Sequence, residues 1–367
     1  MQNFVVALIL ASFFAVSFVI GARTKDDIKQ LPGVNFKLNF KHYSGYFQVS
    51  KTHFLHYWFV ESQNDPVNDP LIFWYNGGPG CSSVEGIIHE MGPYLVNPDG
   101  KTLRKNPNSW NNFASVVYIE APAGVGYSYS SDGNITTSDD LTAEENYEGL
   151  KQFFKKYPNF QNHSTFIIGE SYAGIYVPTL TTKIIENQND FPINLSGIAI
   201  GNGLLNYTLN QETQLKFLYS HGFIDEISWE KFEKTCCNNC VDTCDLDNLS
   251  DNCIESIMVD LSVNPYNIYG TCDSDKKANL REAIFNRNLL MMTKSENGVK
   301  GLIPCFNDTD ITTYMNQKNV RKALHIPVTL PEWNICIPFQ YEYQKQYTDM
   351  TPFFEKIYAA KVPILEI

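Results

Sequence analysis

The sequence predicts an α/β protein, a mostly parallel, doubly wound sheet interrupted late in the chain by an inserted cap. Three observations carry that expectation. Short apolar runs alternate with stretches of helical spacing, several runs close in glycine-rich turns, and the rhythm breaks over a cysteine-rich segment. The 367 residues allow one large domain or a core plus an insertion. Apolar residues make up 43% and charged residues 19%, so a sizeable core can be buried and wholesale disorder is excluded. The formal charge of −12, without a basic block, argues against nucleic acid as a partner.

The elements follow in order. No charged side chain occurs from Met1 to Ala22, and Phe4 to Ile20 is almost wholly apolar. This reads as a signal peptide cut near Gly21 or Ala22 (residues 1–22), in preference to a membrane anchor, because small residues sit at the cut. No other run approaches the length of a span, so no membrane contact is expected after its removal. A first core segment then occupies residues 23–204. His53–Val60, Leu71–Tyr75, Val116–Ile119, Thr165–Ile168 and Leu195–Ile200 read as strands, and Glu144–Tyr157 reads as a helix that stops before Pro158. A further helical stretch runs to about Ile185. From Leu205 to Pro304 helical pieces look short and cysteines concentrate, which suggests the cap (residues 205–304). The core texture returns over residues 305–367, and Val362–Ile367 looks like a strand just begun.

Nine cysteines, with five between Cys236 and Cys253, indicate an oxidising compartment. A metal site is not expected, because Cys237-x-x-Cys240 lacks a second pair and a nearby histidine. No cofactor is called for. N-x-[ST] sequons at Asn134, Asn162, Asn194, Asn206, Asn248 and Asn307 also suit the secretory route, to a lysosome or the outside of the cell.

The strongest chemical signal is Gly169-Glu170-Ser171-Tyr172-Ala173-Gly174 between a strand and a helix. A serine on so sharp a turn needs small neighbours, which Gly169 and Ala173 supply, although the strict pentapeptide has glycine where Ala173 stands. Ser171 is the candidate nucleophile. The Gly-rich loop Asn76–Ser83 follows an early strand and offers the Gly78 N–H as an oxyanion donor beside the Tyr172 N–H. A phosphate cradle is the competing reading, but the loop lacks the lysine of a P-loop.

With these motifs the chain resembles the serine carboxypeptidase family from about Ile28 to Leu365, through Tyr43–Tyr46, His56–Ser62, Glu120–Ser128 and Gly201–Gly203 as well. The resemblance implies an α/β-hydrolase fold with a cap inserted before the last strands, and removal of C-terminal residues from peptides at acidic pH. It places the substrate's free carboxylate on Asn76, the Gly77 backbone, Glu90 and Glu170. Two close carboxyls share a proton, and the neutral member can donate to the substrate. It also implies the disulfides Cys81–Cys336, Cys272–Cys305 and Cys236–Cys253, with Cys237 bonded to Cys240 or Cys244, and cleavage in the cap near Lys294–Lys300. A homodimer and complexes with other lysosomal hydrolases are partners it allows.

The family's Asp and His follow the strand that opens at Val362, and this sequence stops at Ile367. The expectation is an α/β-hydrolase truncated before its last strands, inactive and unstable as written. Losing the base of a serine triad costs about 10⁶ in turnover. Two rivals stand beside the peptidase reading: a non-catalytic protein that stabilises other hydrolases, and the same fold turned to ester hydrolysis or acyl transfer. The Glu90/Glu170 pair speaks against the second.

Overall fold

The computed structural model describes residues 25–241, 244, 253, 308–337 and 342–366. The signal segment, the Cys272–Cys305 pairing, the sequons at Asn248 and Asn307, the stretch Lys294–Lys300 and most of the cap lie outside the described residues.

One mixed sheet organises the chain. Its strands are β1 (His42–Gln48), β2 (His53–Val60), β3 (Leu71–Tyr75), β4 (Ser115–Ile119), β5 (Tyr129–Ser130), β6 (Thr165–Glu170), β7 (Leu195–Gly201) and β8 (Ile364–Glu366). They lie in the order β1-β2-β4-β3-β6-β7-β8, with β5 paired to β2. β1, β2 and β4 pair antiparallel; β4, β3, β6, β7 and β8 run parallel. The helices are α1 (Asp139–Lys156), α2 (Ala173–Glu186), α3 (Tyr207–Ser220), α4 (Glu226–Cys236), α5 (Thr309–Met315), α6 (Lys318–Ala323) and α7 (Thr351–Ala359).

The strands are nearly continuous in apolar residues because both faces of the sheet are covered. Tyr57, Phe59, Phe73, Tyr75, Val117 and Ile119 pack with Leu150 and Phe153 of α1 and Val177 and Leu180 of α2. Their sequence neighbours Trp58, Val60, Ile72, Trp74, Val116 and Tyr118 face the other way, toward Ile87, Tyr314 and Trp333. β1 is the strand that alternation does not reveal. Ser44 and Gly45 break its apolar pattern, and it is defined by its pairing, with Tyr43 opposite Phe59.

α1 begins at Asp139, ahead of the Glu144 that apolar spacing suggests. Ser138 caps it, accepting from Leu141 N at 3.2 Å, and Asp139 and Asp140 complement the first turn. The expectation of short helical pieces after Leu205 is corrected: α3 and α4 run for 14 and 11 residues. They bury Leu215, Leu218, Trp229 and Phe232 in a small core of their own, so most of their surface stays polar and hides the pattern.

Cys236 is bonded to Cys253, and Cys237 takes Cys244 rather than Cys240. Cys81–Cys336 fastens the loop after β3 to the segment before residue 338. Backbone bonds on either side reinforce it, from Ser82 N to Ile335 O at 2.7 Å and from Ile337 N to Gly80 O at 3.0 Å. Of the described sequon asparagines, Asn134, Asn162 and Asn194 are exposed. Asn206 is half-buried and caps α3, accepting from Leu209 N at 3.0 Å.

Candidate active site

Parallel neighbours β3 and β6 end together, with Tyr75 in register with Gly169. The next residues of the two strands, Asn76 and Glu170, therefore emerge side by side. Asn76 Nδ2 donates to Glu170 Oε1 and to Glu90 Oε1, each at 2.9 Å. Its orientation is set from below, because Trp74 Nε1 donates to Asn76 Oδ1 at 2.7 Å. Glu90 closes a short π-turn, Gly86–Glu90. The turn fits because Gly86 has no side chain: a Cβ there would lie 2.6 Å from Trp74 Nε1.

Burial, and then the charge of Glu170, push Glu90 from 4.5 up to about 8, against the opposing hydrogen bond from Asn76. Burial also raises Glu170, again opposed by Asn76. Two acids bridged by one amide nitrogen in a poorly solvated place hold a proton at neutral pH. A third carboxyl belongs to the group. Burial, and then the charges of Glu90, Glu170 and Asp308, hold Glu85 well above the usual carboxylate range. Sequence reasoning missed Glu85 and Trp74; neither lies at a motif position, and only the packing of the turn brings them in.

Ser171 follows Glu170 at φ 59°, a left-handed conformation that costs a residue with a side chain about 1–2 kcal/mol. Cross-bracing holds it there. Ser171 N donates to Gly201 O at 3.0 Å, and the Ser171 carbonyl accepts from Gly174 N and Leu204 N, both at 2.9 Å. A Cβ at Gly169 would sit 2.5 Å from Tyr75 O, and one at Gly174 would sit 2.6 Å from Leu204 O. A Cβ at Gly169 would also lie 2.6 Å from Ala173 Cβ, so the bare Gly169 makes room for the methyl of Ala173 where the strict motif has glycine.

The glycine-rich loop lies directly against this turn. A Cβ on Gly77 would stand 2.4 Å from Tyr172 N and 2.9 Å from Ser171 Cβ. Among the described residues, neither Gly78 N nor Tyr172 N donates a hydrogen bond. The structure thus brings Asn76, Gly77, Gly78, Glu90, Glu170, Ser171 and Tyr172 into one cluster. The Tyr172 ring is anchored away from it, its hydroxyl donating to Asp139 Oδ1 at 2.8 Å. Asp139 also accepts from Tyr343 Oη at 2.8 Å and from Tyr347 N at 3.1 Å.

No histidine serves Ser171 among the described residues. His42 contacts Tyr94, His53 contacts Glu145, and His56 contacts Glu120. His163 faces Asp69 O, His221 faces Phe217 O, and His325 faces Ser44 O. His89 senses Asp310 and Arg104.

Comparison with known proteins adds four findings. The family model Peptidase S10, serine carboxypeptidase, matches residues 32–366. The chain is 38% identical over 360 residues to serine carboxypeptidase ctsa-4.1 of Caenorhabditis elegans, covering 95% of this chain and 76% of the relative. It is 39% identical over 364 residues to the lysosomal protective protein of Mus musculus, covering 93% of this chain and 76% of that protein. Among solved structures, a prohormone-processing carboxypeptidase from Saccharomyces cerevisiae, KEX1(delta)p, superposes with a TM-score of 0.67 at 23% identity, over 92% of this chain and 75% of that one. The architecture is that of an α/β-hydrolase.

Proposed function

The chain belongs to the serine carboxypeptidase family, and we propose that its cleft removes single residues from the C-termini of peptides at acidic pH through an acyl-enzyme on Ser171. The single observation that carries this reading is the Asn76 amide shared by Glu90 and Glu170, at 2.9 Å each, beside the left-handed serine. An exopeptidase must recognise a free carboxylate. A neutral Glu90, held in place by the Asn76 amide, supplies an O–H for that anion, with no fixed positive charge. The scissile carbonyl then lies over Ser171, and its oxygen, as it becomes negative, turns to the Gly78 and Tyr172 amides. Attack by Ser171 Oγ expels the terminal residue, and water releases the acyl group. The base for both steps is the histidine of the family's Ser–Asp–His set; the histidines described above have other partners.

We place the protein in the secretory route, in a lysosome or outside the cell, from its disulfides and the exposed sequons. The test is labelling by an active-site phosphonate. Ser171 takes the label in the full-length protein and Ser171→Ala does not; a label elsewhere, or none, defeats the assignment. A second reading, a stabilising partner of other lysosomal hydrolases, is favoured by the likeness to the lysosomal protective protein of the mouse. Co-purification with such enzymes, undiminished in Ser171→Ala, would support it.

A further inference from the structure

A sealed polar cluster lies beneath the glycine-rich loop. Ser44, His56 and Glu120 are all fully buried. Ser44 Oγ stands 2.8 Å from His56 Nε2, and His56 Nδ1 stands 2.7 Å from Glu120 Oε2. These are the contacts of a Ser–His–acid triad, yet no substrate can reach them.

Counting protons gives the cluster another role. The Ser44 hydroxyl has one proton and directs it to the Leu324 carbonyl at 2.8 Å. His56 Nε2 must therefore donate to Ser44 Oγ. Nδ1 pairs with Glu120 Oε2, and one proton lies between them. Glu120 accepts from three further donors: Tyr127 N, at 2.9 Å, meets Oε2, and Trp333 Nε1, at 2.9 Å, and the Ser82 hydroxyl meet Oε1. The four contacts occupy the hydrogen-bonding capacity of both carboxyl oxygens. The remaining ionisable groups around the ring are Tyr46 and Tyr127, with ring centroids at 5.4 and 5.6 Å, and Arg321, which lies over Tyr127. Burial raises both phenols, so they stay neutral.

Ser82 connects this cluster to the cleft. It follows Cys81, whose N donates to Gly77 O at 3.1 Å, inside the loop that bears Gly77 and Gly78. We infer that Glu120 and His56 are positioning residues, clamping Ser82 and thereby holding the glycine-rich loop against Ser171. The inference rests on the oxyanion role proposed for that loop.

Glu120→Gln keeps the volume but turns an N–H₂ toward two donors. It should speed hydrogen exchange at Gly77–Cys81 about tenfold with α1 unaffected. It should also slow phosphonate capture at Ser171 about tenfold, with affinity for a C-terminal peptide within about twofold. Unchanged loop exchange overturns the clamp. If Glu120→Gln does not fold, Ser82→Ala removes one donor and gives the same exchange test. Failure of the wild-type protein to label at Ser171 would defeat the proposed function instead, leaving the exchange result standing.

Discussion

Replacing Glu90 by Gln isolates the proton held by the acid pair. In the free protein Glu90 is held up at about 8 by burial and by Glu170. Below that pH the carboxyl is neutral and donates to a substrate carboxylate; above it the ionised group repels the same anion. Affinity for a peptide with a free C-terminus should be full at acidic and neutral pH and fall about tenfold for each pH unit above about 8. Glu90→Gln keeps N–H donors at every pH, so its alkaline limb should flatten.

Stability moves with the same proton. The folded chain keeps a proton that the unfolded chain releases above 4.5, so the wild type loses stability as pH rises from 4.5 to about 8. At about 1.4 kcal/mol per factor of ten, that window is worth several kcal/mol, and Glu90→Gln escapes the loss. Titration calorimetry from acidic to alkaline pH, with a short peptide and its C-terminal amide, measures the binding limb; thermal melts measure the other. Parallel pH profiles for wild type and Glu90→Gln would refute the shared proton. Equal binding of acid and amide would refute carboxylate recognition.

Two further substitutions test the serine turn. Ser171→Gly relieves the left-handed backbone at φ 59° and should be more stable than Ser171→Ala by about 1 kcal/mol, read from melting temperatures; equal stability would mean the turn is unstrained. Gly77→Ala puts a methyl 2.4 Å from Tyr172 N, so the loop must retreat. If Gly78 and Tyr172 hold the oxyanion as proposed, turnover should fall about 10²–10³-fold, as when an oxyanion donor is lost, with kcat measured beside a melt to separate the effect from unfolding.

Much of this protein was legible in the residues themselves. Runs such as Leu71–Tyr75 and Val116–Ile119 are apolar because both sheet faces are covered, and burial on two sides leaves a signature that needs no partner to be read. Gly169, Ser171 and the loop from Asn76 were equally plain, since a sharp turn restricts residue type locally. Other features are properties of pairs and have no local signature. β1 contains Ser44 and Gly45 and is a strand because β2 lies beside it. Glu90 reads alone as a solvated acid; it becomes one of two acids on Asn76 only when β3, β6 and the turn at Gly86 converge.

Sequence by itself determined most of the sheet, the turn at Ser171 and the family, because backbone geometry and burial constrain each residue where it stands. Tertiary structure alone decided that Glu85 joins Glu90 and Glu170, which cysteine Cys237 takes, and that His56 is committed to Glu120 rather than to Ser171. Charge, desolvation and hydrogen-bond capacity depend on neighbours distant in the chain, and folding alone brings those neighbours together.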